Sequence, residues 1–217
     1  MKKDLTEIVF IIDRSGSMSG LEKDTIGGFN SFVERQKQEA GEAYITTVLF
    51  DDRVEVLHKR ENIYLVEKMT SKQYYVRGCT ALLDAIGYSI NNMIRTVKIL
   101  PEDLKPEKVL FVITTDGYEN ASKEYNYERI KNMINDQKEY YHWEFLFLGA
   151  DIDAVGEANK LGIDSTRAVR YYNDHSGIEA SYESVSSFTT CFRQSKKMKK
   201  EDETWKDEVI KNNNERI

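Results

Sequence analysis

"IVFIIDRSGSMSG", residues 8–20, decides how the chain is read. An unbroken apolar run, Ile8 to Ile12, ends in Asp13 and passes at once into Ser15, Gly16, Ser17, Ser19 and Gly20. A run without polar alternation is the pattern of a strand buried on both faces, as in a parallel sheet between helix layers. The carboxylate and hydroxyls that follow would then stand at the strand's carboxyl end, the edge where open α/β sheets bind ligands.

The rest of the chain repeats that strand pattern. "YITTVLF" (44–50), "VLFVI" (109–113) and "WEFLFLG" (143–149) are short, β-branched and aromatic. Between them lie stretches of helical period. Ile26, Phe29 and Val33 share a face in 24–40, and Tyr127, Ile130, Met133 and Ile134 do so in 123–138. The widest stripe, in 81–98, joins Leu82, Leu83, Ile86, Ile90, Met93, Ile94 and Val97. "VLFDDRVEVLH" is too short for a helical crossover and predicts an antiparallel hairpin whose second strand, alternating in "RVEVLH", lies at an edge. "DAVGEANKLGI" predicts a short helix ended by Gly162, 168–172 a last strand and 178–192 a last helix. The expected fold is α/β and doubly wound: a mostly parallel central sheet with one antiparallel edge strand and helices on both faces. Residues 1–195 form one domain in this reading. The charged tail, 196–217, is expected as a peripheral helix or a mobile extension.

Composition is that of a globular protein, 40% hydrophobic and 31% charged over 217 residues. A net charge of −6 argues against nucleic-acid or anionic-membrane partners recruited by bulk electrostatics. Cys79 and Cys191 form no C-x-x-C pattern and are expected as free, buried thiols in a reducing compartment. The apolar run 8–12 is too short for a signal peptide, and no segment approaches the ~18 residues of a membrane span, so a cytoplasmic location is expected.

Asp13, Asp51, Asp116 and Asp151 each follow a core strand. Alone, each is an ordinary turn or capping residue, and Asp51 and Asp151 are read as nothing more. Asp13 opens an Asp-x-Ser-x-Ser loop, and "TTDG" (114–117) places Asp116 atop another strand. "RGCTALLDAI" offers Thr80 just before the most amphipathic helix. Two carboxylates and three hydroxyls suit a hard divalent cation such as Mg²⁺, with Mn²⁺ or Ca²⁺ as alternatives.

Asp13, Ser15 and Ser17, then Thr80, then Asp116 in a T-D-G turn, resemble in type and order the metal-ion-dependent adhesion site of von Willebrand factor type A (vWA) domains. "FLFLGADIDAVGEANKLGI" is similar to the segment after the penultimate strand in bacterial intracellular members. The resemblance implies that Ser15 and Ser17 bind the metal directly and Thr80 directly or through water. Asp13 and Asp116 would act largely through water and through hydrogen bonds to the hydroxyls. It implies a protein-binding module in which a partner's Glu or Asp supplies the last ligand, without catalysis. It also suggests an AAA-type ATPase or a stress-response assembly as partner. The alternative, a Mg²⁺-dependent phosphoester hydrolase, lacks support in the sequence. There is no phosphate-binding glycine motif, Met18 occupies the serine position of G-x-S-x-G, and His58, His142 and His175 are scattered. Tyr74, Tyr75, Tyr118, Tyr125 and Tyr127 lie near the loops and are read as packing or binding aromatics.

Overall fold

The computed structural model describes residues 1–195 and 202–216. Six strands form one sheet in the order β3-β2-β1-β4-β5-β6: β1 (Lys2–Asp13), β2 (Glu42–Phe50), β3 (Val54–Asn62), β4 (Pro106–Thr115), β5 (Glu144–Ala150) and β6 (Ala168–Tyr171). All neighbours are parallel except β2 and β3. This is the doubly wound arrangement expected. The chain builds outward from β1 to β3, then returns to β1's other side to lay down β4, so the direction of construction reverses between β1 and β4.

The apolar run of β1 is explained by its two faces. Ile8, Phe10 and Ile12 enter one core layer with α1 (Glu22–Lys37) and α5 (His175–Gln194). Val9 and Ile11 enter the other, with α2 (Leu82–Ile99), α3 (Tyr127–Tyr141) and α4 (Ala154–Lys160). Side chains alternate faces along a strand, so a central strand covered on both sides must be apolar at every position.

Several boundaries differ from the sequence reading for identifiable reasons. α3 begins at Tyr127 rather than near 123, because the Asp84 carboxylate of α2 accepts the backbone N–H groups of Lys123, Glu124 and Tyr125 (2.8, 2.9 and 3.0 Å). Asn126 then caps the helix, accepting from the Arg129 N–H at 2.9 Å. The alternation expected in β3 breaks at two irregularities in its pairing with β2. Val54 and Val56 pack on one layer and Leu57 on the other, as alternation requires, but His58 then stacks on Phe29 in the layer of Leu57. Both cysteines are free but exposed, which corrects the expectation of buried thiols. Cys191 is exposed on α5 although Phe188 and Phe192 of the same helix are buried, and Cys79 sits in a rim loop.

Of the tail, Lys196–Glu201 and Ile217 lie outside the described residues. α6 (Asp207–Asn214) follows a 3₁₀ turn in which buried Trp205 meets Phe188 edge-on at 5.6 Å and donates to the Thr166 carbonyl. Val209 is buried in the same layer. Among the described residues no helix is long and apolar enough to cross a membrane.

Candidate metal centre

β1 and β4 end side by side at the point where the sheet's construction reverses, and their last residues set the site. Asp13 is buried; its Oδ1 accepts from the Ser15 N–H at 2.7 Å and its Oδ2 from the Thr115 hydroxyl at 2.6 Å. Burial raises its pKa to about 6, against the lowering effect of those hydrogen bonds from Thr115 and Ser15, and the nearby Asp116 charge pushes the same way as burial. After Asp13 the chain turns through a 3₁₀ segment, Gly16–Met18, which brings the Ser15 and Ser17 hydroxyls to 3.1 Å from each other. Ser17 donates to Asp116 Oδ1 at 2.5 Å, crossing from the β1 loop to the β4 loop. Burial also raises Asp116, opposed by hydrogen bonds from Ser17 and from Asn173, whose Nδ2 donates to Oδ2 at 3.1 Å.

Thr80 arrives on a third loop, fastened on both sides. Its N–H donates to Asn120 Oδ1 at 2.9 Å, and its carbonyl accepts from Asn120 and Ala121 N–H groups at 3.0 and 3.2 Å. On the other side, the Gly16 N–H donates to the Gly78 carbonyl at 3.1 Å. The Thr80 and Ser17 hydroxyls face one small space beside Gly117. A Cβ at that glycine would lie 3.1 Å from Thr80 Oγ1 and 3.5 Å from Ser17 Oγ. All five sequence-read residues, Asp13, Ser15, Ser17, Thr80 and Asp116, are thus gathered at one rim.

The gathering is held by a buried charge cluster that sequence reasoning passed over. Arg14 stands between two of the site residues, yet its side chain is fully buried and turned away. Its Nε donates to Asp51 Oδ2 at 2.9 Å, and another nitrogen reaches Glu55 at 2.7 Å. Arg77 donates to the same Asp51 oxygen at 2.5 Å. Burial would raise the Asp51 pKa, but hydrogen bonds from Arg77 and the Arg53 N–H, with the Arg14 charge, hold it below the usual range. Asp51 does serve the turn expected of it, accepting from the Arg53 N–H at 2.8 Å. Its second role as an ion-pair centre has no signature in spacing. Its carbonyl also accepts the Ala81 N–H at 2.8 Å, which fixes the residue next to Thr80. Asp151 remains a turn residue, in left-handed backbone (φ 51°).

Tyr74 is buried and donates to the Asp13 carbonyl at 2.7 Å, whereas Tyr75 and Tyr118 are exposed at the rim. Tyr125 and Tyr127 pack against the α2–α4 layer. Among the described residues no cluster of three or more His, Cys, Asp or Glu side chains has metal-holding geometry, so the hydroxyls must carry part of any coordination. The donor set fits a hard divalent cation on three counts. Every donor is oxygen, and two acids share the rim while the one basic residue of the Asp13 loop points elsewhere. The third is Asn173 Oδ1, which is buried without a partner and suits a water of the kind a hydrated cation brings.

No family model and no curated protein sequence matches the chain. Its likeness to known proteins lies in structure. The vWF domain of the type V pili tip protein Mfa5 from Porphyromonas gingivalis superposes with a TM-score of 0.63 at 12% identity, over 89% of this chain and 98% of that domain. Proximal thread matrix protein 1 from the mussel byssus, with a zinc-occupied MIDAS motif, gives 0.58 at 15% identity over 85% of this chain. Manganese-loaded TRAP protein of Plasmodium vivax also gives 0.58 at 15%, over 83% of this chain and 72% of that one. The chain spans 46% of the mussel protein. The fold is that of a vWA domain.

Proposed function

We propose that the chain is a metal-dependent protein-interaction module. Ser15, Ser17 and Thr80 would hold a divalent cation through their hydroxyls, and Asp13 and Asp116 would balance its charge largely through water. A bound cation with neutral direct ligands keeps affinity for an anionic oxygen, and a Glu or Asp side chain of a partner protein would supply it. The observation that carries this reading is the convergence of hydroxyls and carboxylates from three loops beside Gly117. The solved neighbours bearing zinc and manganese support a divalent metal in general. Mg²⁺ is proposed here from the all-oxygen donors, with Mn²⁺ and Ca²⁺ as competitors.

The chain's own part is to hold these groups still. Thr115 and the Ser15 N–H orient Asp13, Ser17 and Asn173 orient Asp116, and Asn120 fixes the backbone of Thr80. Catalysis is not part of the proposal. His58 bonds to Thr47 within the sheet, His142 ends α3 and His175 pairs with Asp24, so no histidine is hydrogen-bonded to any of the five rim residues among the described residues. A bacterial setting, and an AAA-type ATPase or stress-response assembly as partner, rest on the sequence resemblance alone; a cytoplasmic location is proposed from the cysteines and the short apolar runs of the sequence. The division into a domain, 1–195, and an extension, 196–217, is proposed from the charge pattern of the sequence.

Isothermal titration with Mg²⁺ tests the metal, and capture from a native lysate tests the partner. Wild type should bind one cation and Asp116→Ala none, and proteins retained in Mg²⁺ should be lost with EDTA and with Asp116→Ala. Equal capture under all three conditions would refute the reading. Metal-dependent phosphoester turnover would replace it with the hydrolase.

A further inference from the structure

Beside the oxygen cluster, an arginine is held in a way that packing alone does not require. Arg77 runs alongside the Asp13 loop: its N–H donates to the Arg14 carbonyl at 2.9 Å, and the next residue's carbonyl accepts from Gly16 at 3.1 Å. This pairing places Arg77 at the rim on the side of Ser15. Its Nε is committed to the buried Asp51 at 2.5 Å. Its guanidinium also lies over the Tyr75 ring, 5.7 Å from the centroid, on an aromatic that carries Arg14 at 5.4 Å. Yet 37% of the Arg77 side chain is exposed, and among the described residues no hydrogen bond reaches its two terminal nitrogens. Tyr75 is 43% exposed beside it.

That arrangement is a guanidinium fork fixed from behind and from one face, on a side chain that stays partly exposed. A free arginine loses much rotamer entropy on binding; this one has already lost it to Asp51 and Tyr75. Two parallel N–H donors match the two oxygens of a carboxylate. Behind it, Arg14 and Arg77 face Asp51 and Glu55, with Asp52 close to Gly78. An incoming carboxylate meets a preorganised donor.

We propose that the Arg77 fork, backed by Tyr75, is a second acid-binding contact on the surface around the oxygen cluster, so that a partner presents two acidic side chains rather than one. The inference rests on the cluster being a metal-dependent docking point. The first acid completes the metal site and the second lies against Arg77, so the spacing between the two acids sets specificity. A single ion contact does not discriminate among acidic proteins; a paired contact does.

The test uses the full chain, saturating Mg²⁺ and short Gly/Ser peptides bearing one Glu or two Glu at stepped separations, followed by ¹⁵N NMR with the arginine Nε–H signals included. At one separation the two-Glu peptide should bind about fivefold tighter than the one-Glu peptide, the size expected of a surface charge pair, and should shift the Arg77 Nε–H signal. Arg77→Gln should abolish that preference, its two-Glu binding being referred to its own one-Glu binding and Mg²⁺ uptake as baselines. Arg77→Lys keeps a cation beside Asp51 but lacks the fork; it should fold like wild type and lose most of the preference. Wild type that takes up no divalent cation overturns the underlying reading and this inference with it. A Mg²⁺-binding wild type that holds one-Glu and two-Glu peptides equally overturns this inference alone, and one that holds neither overturns the docking of an acid on the metal as well. A preference that persists in both Arg77 variants overturns this inference too.

Discussion

Gly117 shows how finely single residues set the rim. Its Cα is the wall of the space that Thr80 and Ser17 face, and a methyl there would sit 3.1 Å from Thr80 Oγ1, closer than ordinary packing allows. Gly117→Ala should therefore lower Mg²⁺ affinity by about tenfold or more, on the order of 1.4 kcal/mol. Metal-free stability should move by less than about 1 kcal/mol, because the half-exposed position buries little else. Calorimetry and urea unfolding separate the two effects; unchanged affinity would show that the hydroxyls do not share a ligand. Asp51 makes the opposite case, a residue remote from any ligand whose loss is costly. Asp51→Ala leaves the buried Arg14 guanidinium with Glu55 as its remaining ion partner and removes the anchor of Arg77. Breaking such a pair costs about 3–5 kcal/mol, which urea unfolding would register. The five oxygen-bearing residues that meet at the rim were legible in the sequence because carboxylates and hydroxyls directly after core strands, or before a helix, stand out by residue type. Arg14, Asp51, Arg77 and Asn173 were not, because an ion pair or a single amide contact made across 26 to 57 residues leaves no local period to find.

At the scale of elements, β1 carries two buried acids. Asp13 stands at the rim; midway along the strand, Glu7 is fully buried, with one carboxylate oxygen on Arg60 Nε at 2.8 Å and the other without a partner among the described residues. Burial raises the Glu7 pKa from 4.5 to about 7, and the Arg60 charge and hydrogen bond only partly oppose it. A folded-state pKa above the unfolded one means that protons favour the folded chain. The stability linked to Glu7 is complete below about pH 4.5 and is lost as the pH rises through 7, by on the order of 3 kcal/mol. Glu7→Gln should remove this slope. Compared with wild type, its urea midpoint should be the less pH-sensitive between pH 5 and 8, and parallel profiles would show that Glu7 is not titrating there. No sequence signal separates Glu7 from a solvated strand-end acid, since the strand was legible only over its apolar run, 8–12, and Lys2–Glu7 read as polar. The same limit applies at α3. Its apolar face was plain, but its start was set by the Asp84 carboxylate of α2, a tertiary contact that overrides helical period.

For the whole molecule, the decisive feature is where the site falls on the winding of the sheet. The Asp13 loop leaves the central strand, Thr80 lies in the connection from β3 to α2, and Asp116 follows β4, the first strand of the second half. Asn173, from beyond β6, closes on Asp116 from the far side. A cation held by these groups therefore ties together segments that meet only in the folded state, and the unfolded chain has no comparable site. Binding to the folded form alone adds RT ln(1 + [L]/Kd), or about 2.7 kcal/mol at a hundredfold excess over Kd. For a chain of this size, 1 kcal/mol corresponds to about 2–4 °C in Tm, so that excess should raise the melting temperature by about 5–10 °C. The rise should be logarithmic in Mg²⁺ concentration beyond Kd and reversed by EDTA. It should be absent in Asp13→Ala and Asp116→Ala, whose metal-free melting temperatures serve as their own baselines. Because the tie spans both halves, the gain should appear as one shifted cooperative transition. A Mg²⁺-dependent splitting into two transitions would mean that the cation stabilises one half of the sheet without the other, and that the three loops do not act as a single site.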